Sequence, residues 1–343
     1  MSRAHPMLID VGRLRAMITD ILIGNGAGED DAKCQAAILI EGELREQPSH
    51  GVGRLPVLVG RLRNGFIVSG APIEQRWLAE SVVAVDGRRS FGPVAAREAV
   101  TAVIERAGTT GIAMAAVRNS NHIGMLAPYV EQVAAHDAIG LAFTTSEALV
   151  HPWGGTRPMV GTNPIAIAIP TPTVPVVLDM STAAVSMGKV LDYSVRGKAI
   201  PLGWGVDSSG RSTTDASAVV SGALAPFGGP KGYALAIALE CLVAVLTQSA
   251  LGADIRGTLD QEFAANKGDV FLAIRLDKLG LLGTLPAVAN YLEQVRRSAV
   301  DGAVSVPGDR ARATRALREA DGIRLSPQTW RTILDLHREV AHA

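Results

Sequence analysis

Between residues 82 and 178 the chain breaks into short apolar runs, each closed off by glycine, proline or asparagine. These runs cover residues 82–85, 112–117, 139–143, 165–169 and 174–178. Segments that short and that apolar read as strands, several of them buried on both faces. A helix is expected over residues 94–107, a long apolar one over 231–248, and a further strand over 271–274. Both chain ends carry a different period. Leu8, Val11, Leu14, Met17, Ile18 and Leu22 recur at helical spacing, with Gly24 and Gly26 as the stop. A second helix follows Asp30 and Asp31 and runs to Leu44, its later glutamates expected to face solvent. Residues 286–300, 310–320 and 326–337 are amphipathic, and Ser326 with Pro327 opens the last of them. Helical ends around a strand-rich centre predict an α+β chain. Residues 1–75 and 285–343 would form one discontinuous, mainly helical domain, and residues 76–284 an α+β domain.

Charge and cysteine usage narrow the function. Lysine plus arginine and aspartate plus glutamate both number 33, and no basic stripe argues for a nucleic-acid partner. Cys34 and Cys241 have neither metal-ligand nor disulfide spacing and are expected to be small buried apolar groups. No His/Cys/carboxylate cluster has the spacing of a metal site. The amino terminus lacks a signal-peptide apolar core, and residues 233–246, interrupted by Glu240, look too short to span a membrane. A cytoplasmic protein with no membrane partner is expected.

Two polar segments carry the chemistry. Ser49-His50-Gly51-Val52-Gly53-Arg54 and Asn119-Ser120-Asn121-His122-Ile123-Gly124 each set a histidine beside glycine in a turn-rich context. Histidine is readily poised for proton transfer near neutral pH. The planar fork of an arginine is suited to clamp a carboxylate. Together they suggest chemistry on a small organic acid. His5, His136, His337 and His342 fit no motif, and His151 stays open. No conventional nucleotide loop is present: residues 24–28 follow a helix rather than a strand, and Gly188-Lys189 is followed by Val190. Asp179-Met180-Ser181-Thr182, closing a strand, offers hydroxyls and amides. Gly228-Gly229-Pro230-Lys231-Gly232 opens a helix whose free amides favour an anion.

The run Ser49-His50-Gly51-Val52-Gly53-Arg54-Leu55-Pro56 resembles the entry motif of the type-2 malate/L-lactate dehydrogenase family. Further blocks resemble that family in order: Asn119 to Gly124, Gly161-Thr162-Asn163-Pro164, Leu178-Asp179-Met180-Ser181-Thr182 with Gly188-Lys189, Gly228 to Tyr233, and Pro307-Gly308-Asp309-Arg310. The resemblance implies a non-Rossmann fold with a mixed, mainly antiparallel sheet, an NAD or NADP cofactor, and a homodimer. It implies that a small 2-oxo acid and its 2-hydroxy acid are interconverted. A cyclic imino acid reduced at the same site, or a non-catalytic nucleotide-binding relative, are the alternatives. His50 would be the proton donor, with His122 as its rival or helper. Ser49, Arg54 and Asn121 would bind substrate. Ser146, Thr162, Leu178, Asp179, Met180, Ser181, Thr182, Pro230, Lys231, Pro307, Gly308 and Asp309 would bind cofactor. Where many relatives have a tyrosine four residues after the motif arginine, this chain has Leu58. Leu126-Ala127-Pro128-Tyr129 and Asp309 are further departures.

Overall fold

The computed structural model describes residues 7–302 and 304–341, so His5 and His342 lie outside the described residues. In chain order the elements are β1 (Met7–Ile9), α1 (Val11–Gly24), α2 (Glu29–Leu44), α3 (Leu55–Arg63), β2 (Glu74–Ala79), β3 (Val82–Asp86), α4 (Gly92–Thr110), β4 (Ile112–Arg118) and α5 (Ala127–Ala134). Then follow β5 (Ala138–Thr144), β6 (Ile165–Ile169), β7 (Val176–Met180), α6 (Met187–Val195), β8 (Gly205–Val206), α7 (Ala216–Val220), β9 (Ala223–Leu224) and α8 (Pro230–Thr247). The chain closes with β10 (Asp269–Arg275), α9 (Leu285–Arg296), α10 (Asp309–Asp321), β11 (Ile323–Leu325) and α11 (Pro327–Ala341).

The central sheet has the order β2-β3-β4-β10-β5-β6-β7, and every pair is antiparallel except β3–β4. This is the α+β, non-Rossmann arrangement. Its register decides where chemistry happens. Asp269, the first residue of β10, lies opposite Val117 of β4 and Thr144 of β5. The loops leaving β3, β4 and β5, the loops entering β10 and β6, and the loop leaving β7 therefore share one end of the sheet. Residues 119–124, 145–147, 161–164, 181–182 and 267–268, far apart in sequence, all belong to those loops. Alanines and valines of α4 and α5 fill the core under the sheet with Phe271 and Tyr129. Small residues let these helices approach closely, which explains the scarcity of aromatics.

The chain termini share a second core. Ile9, Leu14, Ile18, Ile21, Leu39 and Leu55 pack with Ile323, Trp330 and Ile333, and β1 pairs with β11. Leu8 is thus in a strand rather than in the first helix, which begins at Val11 behind its cap Asp10. The later glutamates of α2, Glu41 and Glu43, are drawn into contacts rather than left in solvent. Glu43 is buried and accepts the Val52 amide at 2.9 Å. Glu41 is shared between Arg45 and Arg315, joining α2 to α10. Two further expectations are corrected on α8. It is 18 residues long and, by length and composition alone, apolar enough to cross a membrane. Cys241 is exposed on its outer face, because the helix is flanked by protein on one side only; Cys34 is partly buried.

Candidate active site

Two tight packings set the histidines. Gly42 of α2 lies against the His50 backbone, where a Cβ would come within 2.7 Å of the His50 carbonyl oxygen. Two short 3-10 turns, Pro48–His50 and Val52–Arg54, follow from there and feed into α3. On the other wall, Gly92 at the start of α4 abuts the carbonyls of Asn121 and His122, which a Cβ would meet at 2.3 Å. The two imidazoles stack with their centroids 5.4 Å apart and an interplanar angle of 18°.

Their protonation follows from the surroundings. The Gly124 amide donates to His122 Nδ1 at 3.0 Å. A backbone N–H only donates, so Nδ1 is the acceptor and the His122 proton sits on Nε2. Burial, then the charges of Arg54, His50 and Lys267, hold the His122 pKa well below its ordinary value. Burial and then Arg54 lower that of His50 to about 4. Both rings are neutral at pH 7. His50 Nδ1 is buried and has no hydrogen-bond partner, an open position for a reacting proton.

Arg54 keeps its charge although burial pulls its pKa down to about 10. One guanidinium nitrogen donates to the Thr258 carbonyl. No carboxylate lies within 4 Å of it among the described residues, so its fork remains available to an anion. Thr258 is held in turn by Glu147, which accepts the Thr258 amide at 2.6 Å, the Leu259 amide at 3.0 Å and the Thr258 hydroxyl. Below the imidazoles, Lys267 and Asp269 form a buried ion pair, and Asp269 also accepts the Ser120 hydroxyl at 3.2 Å.

Asn121 has a different place from a substrate ligand. Its Oδ1 accepts Arg61 Nε and Nη2, at 3.0 and 2.8 Å, and its Nδ2 faces the carbonyls of Phe66, Arg89 and Ser90. All its polar capacity is spent on fixing the loop that carries His122. Ser49 sits beside His50, with Gly188 of α6 close against its Cβ. His151 is buried and turned to the Pro152 carbonyl, while His136 is exposed and His337 lies 3.6 Å from Asp20.

The remaining blocks line up along β7, the last strand of the sheet. Pro307 accepts the Val177 amide, and Gly308 packs on Val177 at a φ of +99°. Farther along, Leu178, Asp179, Met180 and Ser181 lead to Thr182, which bonds the Thr162 carbonyl through both amide and hydroxyl. Thr162 meets the Ser146 hydroxyl at 3.1 Å. Phe227 bonds the Thr182 carbonyl and carries the chain to Pro230 and Lys231, both exposed at the start of α8. No side chain caps that end of α8, so its amides are open to an anion. Hydroxyls past the end of β7, and an uncapped helix start with a lysine, are groups that suit a dinucleotide. Two of the acids are already engaged. One Asp179 oxygen accepts the Leu126 and Ala127 amides, and burial raises its pKa to about 6. Asp309 is bound by Arg296 and Arg312.

Glu147, Thr258, Lys267 and Asp269 escaped the sequence reading. The only hint was a lysine and an aspartate flanking a glycine just ahead of an apolar strand.

An arginine with no carboxylate in contact, beside two neutral imidazoles on a non-Rossmann sheet, is an arrangement suited to dehydrogenase chemistry. The profile described as malate/L-lactate dehydrogenase matches residues 9–334, and the chain belongs to that family. It is an NAD(P)-dependent oxidoreductase of small carboxylic acids. Similar proteins include the malate/(S)-sulfolactate dehydrogenase of Methanothermus fervidus, 34% identical over 97% of this chain and 98% of that one. The Δ1-pyrroline-2-carboxylate reductase 1 of Burkholderia ambifaria is 33% identical over 96% and 97%. A solved dehydrogenase structure from Sinorhizobium meliloti superposes with a TM-score of 0.92 at 45% identity, covering 96% of this chain and 98% of that one.

Proposed function

We propose that the protein interconverts a small 2-oxo acid and its 2-hydroxy acid, with Arg54 holding the carboxylate and His50 moving the proton. The observation that carries this reading is the stacked, neutral His50–His122 pair beside an arginine that has no carboxylate partner. Bound NAD(P)H supplies the hydride. Ser146, Thr162, residues 178–182, Pro230, Lys231 and residues 307–309 would hold the cofactor. Ser49 would border the substrate beside His50. His122, its proton fixed on Nε2, would donate a hydrogen bond to the reacting oxygen. A substrate carboxylate at Arg54 would offset the smaller of the two causes that disfavour His50 protonation, the Arg54 charge, and so ease proton uptake at His50.

A second reading reduces C=N in a cyclic imino acid at the same site. It is favoured by the likeness to a pyrroline-2-carboxylate reductase. The protein would act as a cytoplasmic homodimer; the exposed apolar residues Ile237, Leu242 and Val245 on α8 support the self-association alone.

The test is the loss of reduced-nicotinamide absorbance with NADH or NADPH. The panel holds pyruvate, oxaloacetate, branched 2-oxo acids and a cyclic imino acid. Turnover is expected to collapse in His50→Ala, and KM to rise in Arg54→Ala. Full activity in His50→Ala would move the proton to His122.

A further inference from the structure

Three cations surround the site, and they differ in what they hold. Arg61, buried on α3, gives Nε and Nη2 to Asn121 and Nη1 to the carbonyls of Asp260 and Phe263. The Asp260 carboxylate lies 3.9 Å from it. Lys267 is paired with Asp269. Arg54 alone has no carboxylate in contact, so the site offers one uncommitted positive charge to a ligand. Glu147 stands one peptide unit behind it. The Thr258 carbonyl accepts Arg54, while the Thr258 amide and hydroxyl donate to Glu147. The Glu147 charge is felt at Arg54, Arg61 and Lys267 alike. A second negative group on a substrate anchored at Arg54 would add to the negative charge already held across the Thr258 peptide, and neither Arg61 nor Lys267 is free to offset it.

We propose that Glu147 is a specificity-determining residue that restricts the site to monocarboxylates and rejects substrates carrying a second anionic group. The inference rests on Arg54 being the carboxylate anchor and deepens that reading by naming the charge of the substrate. It separates this chain from what the names of its dicarboxylate- and sulfolactate-using relatives describe. Glu147 acts by repulsion, the negative half of specificity.

The experiment uses a ligand pair of matched shape. In 4-methyl-2-oxopentanoate the tail ends in an isopropyl group; in oxaloacetate a carboxylate of similar size takes its place. Affinities for the full-length protein with bound cofactor are measured by calorimetry, and kcat/KM wherever turnover occurs. The wild type should prefer the isopropyl ligand by about tenfold or more, and Glu147→Gln should shrink that ratio by about the same factor. Glu147→Gln keeps an acceptor for the Thr258 and Leu259 amides. Glu147→Ala removes those bonds as well; a residue that only pinned the segment would weaken both ligands equally and leave their ratio alone. A wild type that binds oxaloacetate as well as its partner, or a ratio unchanged in Glu147→Gln, overturns the proposal. Failure of both ligands to bind overturns the Arg54 assignment and the inference with it.

Discussion

Replacing His50 with glutamine should make the protein more acid-stable relative to the wild type. In the folded chain burial, and then the Arg54 charge, hold the His50 pKa at about 4, against 6.5 for the free side chain. Between those values the unfolded chain binds the extra proton. The stability that neutral His50 contributes is therefore complete above about pH 6.5 and is lost as pH falls towards about 4. Two-state linkage gives a loss of about 2 kcal/mol at pH 5 and about 3 kcal/mol at pH 4. Asp179 works the other way. Its carboxyl is raised to about 6, so its protonated form favours the fold at low pH and that contribution fades as pH rises. A wild-type curve alone thus mixes the titrations of His50 and His122 with the opposed one of Asp179, whereas the difference between wild type and His50→Gln removes Asp179 from both sides. Urea unfolding at pH 8, 6.5 and 5 should show His50→Gln gaining about 2 kcal/mol on the wild type between the first and last conditions. A saturating monocarboxylate ligand should narrow that gap by offsetting Arg54. Parallel curves for the two proteins would refute the claim that His50 is held neutral by its site.

Two further outcomes test the framework around the site. Glu240 is buried on α8 and accepts the Gly161 amide at 3.1 Å, Asn163 Nδ2 at 2.7 Å and the Gly252 amide. Glu240→Ala leaves those donors unpaired and should cost about 3 kcal/mol in urea unfolding, with Glu240→Gln losing much less. Val245→Glu places a charge on the exposed apolar face of α8; if the proposed homodimer forms through that face, light scattering should then report half the wild-type mass, and an unchanged mass would remove α8 from the proposed contact.

The elements that were legible in the sequence are those whose signal is local. Strands such as Ile165–Ile169 and the periodic ends of the chain could be read from runs and spacing alone. The histidine and arginine of the motif turn could be read because few other residues do their chemistry. What stayed hidden depended on contacts between distant segments. Asn121 looks like a ligand until Arg61, 60 residues earlier, is seen to take its oxygen. Glu43 reads as an ordinary surface position of a helix until the motif turn folds back over it. β1 is too short to announce itself and exists because β11 lies beside it.

The same reasoning explains why one end of one sheet gathers the whole site. Antiparallel neighbours place the end of one strand beside the start of the next, so β10 enters where β4 and β5 leave. A residue at the mouth of β10 then lies under the loops of both, however far away it is in sequence. Lys267 and Asp269 come to rest beneath His122 for that reason, and Glu147, two residues past Thr145, reaches the segment that holds Arg54. A charged pair buried at such a junction stabilises little on its own, since desolvation offsets most of its attraction. Its value is electrical. With Lys267 balanced by Asp269 and Arg61 spent on Asn121, Arg54 is the one of the three with no carboxylate in contact, and it is the one proposed to meet the substrate.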